Sequence, residues 1–173
     1  LLGQPDGYTL ESFLAVCNME KSVTFLNPPG EQLQILREGS AQGRLTGGNL
    51  SVLARALGTP YALAPREESI LFLEDVGESI PRIHMYLTQM RYAGVFDKVC
   101  GILLGDFTDC TNEGYDERLT AVDFLKYWLK ALKVPIIANV CSDHRRPMGT
   151  FPLGVLCRME AERDGRAEIT FFR

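Results

Sequence analysis

Three apolar runs constrain this chain more than anything else in it: Ser69–Leu73, Val99–Leu104 and Val134–Val140. None alternates with polar residues, and near-continuous hydrophobic strands belong to parallel sheets covered on both faces. The intervening sequence supplies the covers. Pro81 opens a predicted helix to about Ala93 with Ile83, Leu87 and Met90 on one face, and Gly94 ends it. A second runs from Thr120 to about Leu132 with Val122, Leu125, Trp128 and Leu129 as its apolar stripe. Strand, helix, strand, helix, strand requires crossover connections, hence an α/β fold with a mainly parallel central sheet.

The flanks read as antiparallel additions. Gly154–Glu160 and Arg166–Phe172 alternate about the turn Arg163-Asp164-Gly165 and predict a C-terminal hairpin. Near the other end, Thr9 is the expected N-cap of a helix over Leu10–Cys17. Val23–Leu26 and Gln32–Leu36, separated by Asn27-Pro28-Pro29-Gly30, predict a hairpin or two neighbouring strands. The glycine-rich stretch Glu38–Asn49 is expected to be a loop feeding a helix over Leu50–Leu57, capped by Asn49 and stopped by Gly58. Such a loop can cradle an anion at Gly47, Gly48 and Asn49, although it is neither a P-loop nor a dinucleotide fingerprint.

Length and composition set the outer bounds. A chain of 173 residues, 46% hydrophobic and 23% charged, suits one soluble globular domain. Its net charge of −4 and the lack of any Lys/Arg cluster argue against nucleic acid. Five widely spaced cysteines without C-x-x-C spacing suggest reduced thiols and no zinc site, with Cys17, Cys100 and Cys157 expected as buried apolar groups. No run reaches the roughly 20 apolar residues of a membrane span, and no signal peptide is visible, so no membrane partner and a cytoplasmic location are expected. The opening LLGQPDGYTLESFLAVC lacks Met and carries a helical pattern with nothing upstream to pack on, which suggests a piece of a larger protein.

Sites in open parallel sheets lie beyond the carboxyl ends of the strands. Those ends deliver Glu74-Asp75, then Asp106 to Asp109, then Asp143-His144. Of two histidines, His84 falls off the apolar face of its helix and is expected to be exposed, which leaves His144 as the candidate base. A catalytic imidazole needs a carboxylate on its second nitrogen. Glu74, Asp75, Asp106 and Asp143 are available; Glu74, at the end of a neighbouring strand, is better placed than Asp143, whose side chain tends to point away from its neighbour's. No nucleophile accompanies them. No serine sits in a G-x-S-x-G elbow, and Ser142 and Cys141 lie too close in sequence to His144 for attack geometry. The residues make two-thirds of a triad, or else a non-catalytic module that binds a small peptide or anion at Gly47-Gly48-Asn49 or serves dimerisation.

The ordered motifs Gly43–Ser51, Gly58–Tyr61, Ile70–Glu78, Leu87–Phe96, Gly101–Cys110 and Pro135–His144 resemble the LD-carboxypeptidases, the muramoyltetrapeptide carboxypeptidase family of serine peptidases. The resemblance spans about residues 39 to 160 and implies the C-terminal domain alone, a three-layer β/β/α swivelling domain. It implies catalytic roles for Glu74 and His144, substrate binding by Gly47, Gly48, Asn49 and Asp75, and no metal or cofactor. The serine would come from the protein's own N-terminal domain, leaving this chain inactive alone. The implied substrate is a murein tetrapeptide, cleaved at the L,D bond before the terminal D-Ala, and the full-length enzyme would be a homodimer. A related branch of microcin immunity peptidases hydrolyses a peptidyl-nucleotide amide instead. Where the family carries Gly before the histidine, this chain has Asp143, a carboxylate that favours imidazolium.

Overall fold

Burial of the three apolar runs organises the computed structural model, which describes residues 4–65, 67–112, 116, 118–142 and 146–173. The helices are α1 (Gly7–Cys17), α2 (Leu50–Arg55), α3 (Ile80–Tyr92) and α4 (Ala121–Trp128), the last extended by a 3₁₀ turn over Leu129–Ala131. The strands are β1 (Ser22–Phe25), β2 (Gln34–Arg37), β3 (Gly39–Asn49), β4 (Ser69–Val76), β5 (Val99–Thr108), β6 (Ile136–Ala138), β7 (Leu156–Ala161) and β8 (Ala167–Phe172). They form one eight-stranded sheet in the order β1-β8-β7-β3-β4-β5-β6-β2. The β3-β4-β5-β6 core is parallel, and the pairings β1-β8, β8-β7, β7-β3 and β6-β2 are antiparallel.

Alternation along each strand divides the core in two. Leu71, Leu73, Ile102 and Leu104 face the layer built from α2, α3 and α4, where they meet Ile83, Leu87, Met90 and Leu125. Ile70, Phe72, Leu103 and Ile137 face the other way and join Phe25, Met159, Ile169 and Phe171. That second cluster also takes Ile35 from β2, at the opposite edge from β1. The sheet therefore curls until its two margins share one core, giving two β layers and one helical layer.

Several local expectations are corrected. β1 and β2 are not a hairpin or neighbours but the two outer strands, because each pairs with a late strand, β8 or β6. The glycine-rich stretch is no loop: it is β3, the longest strand. Arg44 marks a handover along it, since residues 39–44 pair with β7 and residues 44–49 with β4. Its glycines permit close approach, a Cβ on Gly43 lying 2.7 Å from the Glu68 carbonyl oxygen. α1 starts three residues early, with Asp6 as its cap; the Asp6 carboxylate accepts from the Thr9 amide at 2.9 Å and the Thr9 hydroxyl at 2.7 Å. α2 stops at Arg55, short of Leu57, and β4 and β5 run on through the polar residues taken as strand ends. Cys17 is exposed at the end of α1, whereas Cys157 is buried as expected.

Arg37 ties the β2 edge to the end of the helical layer. Its guanidinium donates to the carbonyls of Lys130, Leu132 and Val134, which follow α4 and have no helical partner of their own. Arg37→Ala should cost about 1–3 kcal/mol by orphaning them. In urea titration the midpoint should fall with an unchanged slope; an unmoved midpoint would mean that water replaces the guanidinium without loss.

Candidate active site at the carboxyl ends of the parallel strands

Glu74 and Asp75 are adjacent, so the pleat sends their side chains to opposite faces of β4. Asp75, 2% exposed, turns toward α2. It accepts from the Ser51 amide at 2.9 Å, the Asn49 amide group at 3.1 Å and the Val76 amide at 2.9 Å. The Asn49 Oδ1 in turn accepts from the Val52 amide at 3.1 Å and the Ser51 hydroxyl at 2.8 Å. Asn49 is thus the N-cap of α2, as its sequence context predicts. Asp75 braces that cap, and its oxygens are occupied on the helical side of the sheet.

Glu74 shares the opposite face with Phe72 and is 6% exposed. Its position is set by a β-bulge. Leu73 pairs with Leu104 and Asp75 with Phe107, so Glu74 alone stands opposite both Gly105 and Asp106. Bulges re-aim side chains, and this one falls where the sheet stops being wholly apolar. Gly105 makes room for it: a Cβ there would lie 2.9 Å from the Glu74 Cβ and 3.0 Å from the Phe72 ring. Gly105 is the site residue that sequence reading passed over, although a glycine inside an apolar strand is itself a signal for a bulge or close approach.

Gly47, Gly48 and Asn49 end β3 beside this point, with Asn49 in register with Glu74. Gly47 (φ 129°) and Gly48 (φ 136°) adopt backbone angles that favour glycine. Gly47 is pressed on the neighbouring strand, whereas a Cβ on Gly48 would meet open space. The four residues expected to bind substrate therefore lie together, across the end of β4 from Glu74.

His144 and Asp143 lie outside the described residues; the chain is described on either side of them. β6 leads to Val140, whose amide donates to the Leu104 carbonyl of β5 at 3.1 Å, and then to buried Cys141. The segment returns at Gly149, whose amide donates to the Cys141 carbonyl at 2.7 Å. The Ser142 hydroxyl donates to the Gly149 carbonyl at 2.8 Å, closing the base of the loop. Val140, ahead of His144 in sequence, thus lies next to β5, whose other neighbour is β4 with Glu74. His84 is exposed on α3, as expected, its ring edge-on to Phe124. An open groove of about 500 Å³ lies at the same end of the sheet, lined among others by Gly105, Asp106, Phe107, Asn139, Gln32 and Gln34. Among the described residues no group of three or more His, Cys, Asp or Glu is placed to hold a metal ion, and no helix is long and apolar enough to cross a membrane.

A curled α/β domain with a buried carboxylate at the end of one parallel strand is the class that fold and site define. The LD-carboxypeptidase C-terminal domain profile matches residues 42–159, and the chain belongs to that family. The murein tetrapeptide carboxypeptidase of Pseudomonas aeruginosa is 34% identical over 122 residues, 70% of this chain and 39% of that protein. The microcin C7 self-immunity protein MccF of Escherichia coli is 32% identical over 119 residues, 68% of this chain and 33% of that protein. The chain spans less than half the length of either relative. Its fold is that of the muramoyltetrapeptide carboxypeptidase from Oxalobacter formigenes, with a TM-score of 0.80 at 24% identity, covering 99% of this chain and 57% of that one. MccF in complex with glutamyl sulfamoyl guanosine shares it too, with a TM-score of 0.78 at 24% identity over 95% of this chain and 54% of that one.

Proposed function

We propose that this chain is the acid–base domain of a serine LD-carboxypeptidase, supplying Glu74 and His144 to a triad whose serine lies on a separate N-terminal domain. The observation that carries this reading is the placement of Glu74, buried at a bulge beside the strands that lead to His144. In the reaction His144 takes the serine proton as the hydroxyl attacks the carbonyl of the L,D bond, then returns it to the leaving amine of D-Ala. Water hydrolyses the resulting acyl-enzyme by the same base. Glu74 accepts from the second ring nitrogen, which fixes the tautomer and offsets the imidazolium charge. Gly47, Gly48 and Asn49 border the substrate, and Asp75 holds that border in place. The reading includes a cytoplasmic enzyme that works on murein tetrapeptide during peptidoglycan recycling, needs no metal or cofactor, and pairs as a homodimer when its serine domain is present.

The likeness to MccF favours one alternative substrate, a peptidyl-nucleotide amide. A direct assay separates the possibilities. The 173-residue chain alone should release no D-Ala from murein tetrapeptide and take no label from serine-directed reagents, whereas the chain joined to a serine-bearing N-terminal domain should do both. Preferential cleavage of a peptidyl-nucleotide amide would move the enzyme to the immunity branch. Clear turnover by the chain alone would sink the split-triad reading.

A further inference from the structure

No residue of the helix α1 is fully buried, Tyr8, Thr9, Ser12 and Val16 being half-buried, so apolar packing alone does not explain its place in the fold. Its polar side chains do. The Tyr8 hydroxyl, its pKa pushed by burial up to about 12, donates to the Leu26 carbonyl at 2.6 Å. The Thr9 hydroxyl oxygen accepts from the Met148 amide at 3.0 Å, and that of Ser12 accepts from the Thr150 amide at 2.8 Å. Two of these three contacts grip one short stretch, the returning stem of the segment that carries His144.

The outgoing stem is gripped from the same end of the sequence. The Asn27 side chain spans a left-handed residue, Asn139 (φ 55°): its Nδ2 donates to the Asn139 carbonyl at 2.7 Å, and its Oδ1 accepts from the Cys141 amide at 3.1 Å. The Asn139 side chain donates to the Gln32 carbonyl at 2.8 Å and to Glu31 at 3.1 Å, adding a second tie to the segment between β1 and β2. Between the stems, Gly149 is wedged so tightly that a Cβ would lie 2.4 Å from the Phe25 ring and 2.8 Å from the Tyr8 oxygen. Both ends of the loop are thereby fastened to residues 8–27 by side chains that bind backbone.

We propose that Thr9, Ser12 and Asn27 are positioning residues, a clamp through which the N-terminal arm fixes the described stems on either side of His144 and so supports the coupling of His144 to Glu74. This rests on the acid–base reading of Glu74 and His144. A parallel strand as short as β6 delivers its loop but does not orient it. The clamp does so from the opposite edge of the curled sheet.

The chain's two histidines make the test direct, because NMR titration resolves His144 with exposed His84 as an internal control. In the otherwise unaltered chain, Glu74→Gln should lower the His144 midpoint by about one to three pH units, the effect of removing a carboxylate partner. In the Thr9→Ala/Ser12→Ala double variant and in Asn27→Ala, the same Glu74→Gln change should move His144 by a third of that or less. His84 and the melting temperature of the double variant should hold. Thr9→Ser/Ser12→Thr, which keeps both hydroxyls, should restore the full coupling. Full coupling in the double variant would overturn the clamp; since neither Thr9 nor Ser12 is fully buried, that variant carries the test even where Asn27→Ala fails to fold. Should Glu74→Gln leave His144 unmoved in the parent chain, the Glu74–His144 reading fails instead. Relaxation of the His144 ring then decides the clamp: looser motion in the double variant supports it, and equal order overturns it.

Discussion

Glu74→Gln in the enzyme that includes the serine domain should cut kcat roughly 10³–10⁴-fold and leave KM within a few-fold. The change is nearly isosteric, and Gly105 leaves room for either side chain, so the bulge and the fold should persist. On the proposed acid–base reading, what is lost is an acceptor for the imidazole N–H and a charge opposite the imidazolium. The comparable carboxylate-to-amide change in serine proteases costs about four orders of magnitude through the wrong tautomer. His144→Ala should cost at least as much, and the double variant little more than the worse single one, since members of a triad act as a unit. D-Ala release under saturating and limiting substrate, together with thermal melts, measures all of this. Activity within tenfold of the parent in Glu74→Gln would move the orienting carboxylate elsewhere, with Asp106, in the bulge opposite Glu74, the next candidate.

Gly47→Ala should prevent stable folding. A Cβ there would sit 1.9 Å from the Phe72 carbonyl oxygen and 2.8 Å from its carbonyl carbon and amide nitrogen, all backbone of the paired strand. No rotamer change relieves such a contact. Either β3 separates from β4 or the ladder shifts, and the left-handed φ of 129° adds strain. A loss above about 4 kcal/mol is expected, a large part of the 5–15 kcal/mol that holds a typical domain together. Gly48→Ala is the control: with open space around it, only backbone strain of about 1–3 kcal/mol should register. Equal urea midpoints for the two variants would mean that the strands do not approach this closely.

The parallel centre of the fold was legible because its signal is local and strong: a strand covered on both sides has no polar residues to confuse the pattern. Glu74 was legible for the same reason, as the first charge after an apolar run. The margins were not. β1 and β2 have ordinary strand composition, but which partner each takes depends on residues about a hundred positions away or more, and proximity in sequence suggested a hairpin. Glycines misled in β3. Gly39, Gly43, Gly47 and Gly48 look like a flexible loop, whereas two of them serve close contact between strands. The roles of Asp75 and Asn27 were hidden too, since nothing in sequence shows that one carboxylate faces a helix or that a turn asparagine reaches across to another strand. The family motifs succeeded over residues 39 to 160 because they record such long-range fits directly, and the matched span of 42–159 coincides with them.

The pairing of β1 with β8 makes one outer strand of the sheet dependent on a strand well over a hundred residues later. Ser22 is in register with Phe172, and the Arg173 amide donates to the Lys21 carbonyl at 3.0 Å. Among the described residues, β8 is the only strand that β1 pairs with. During synthesis β1 therefore has no strand to pair with until β8 is made. A premature stop that removes β8, far from Glu74 in sequence, would release β1 and with it the arm that grips the His144 segment. Synthesis of β8 is thus itself a checkpoint on docking of β1.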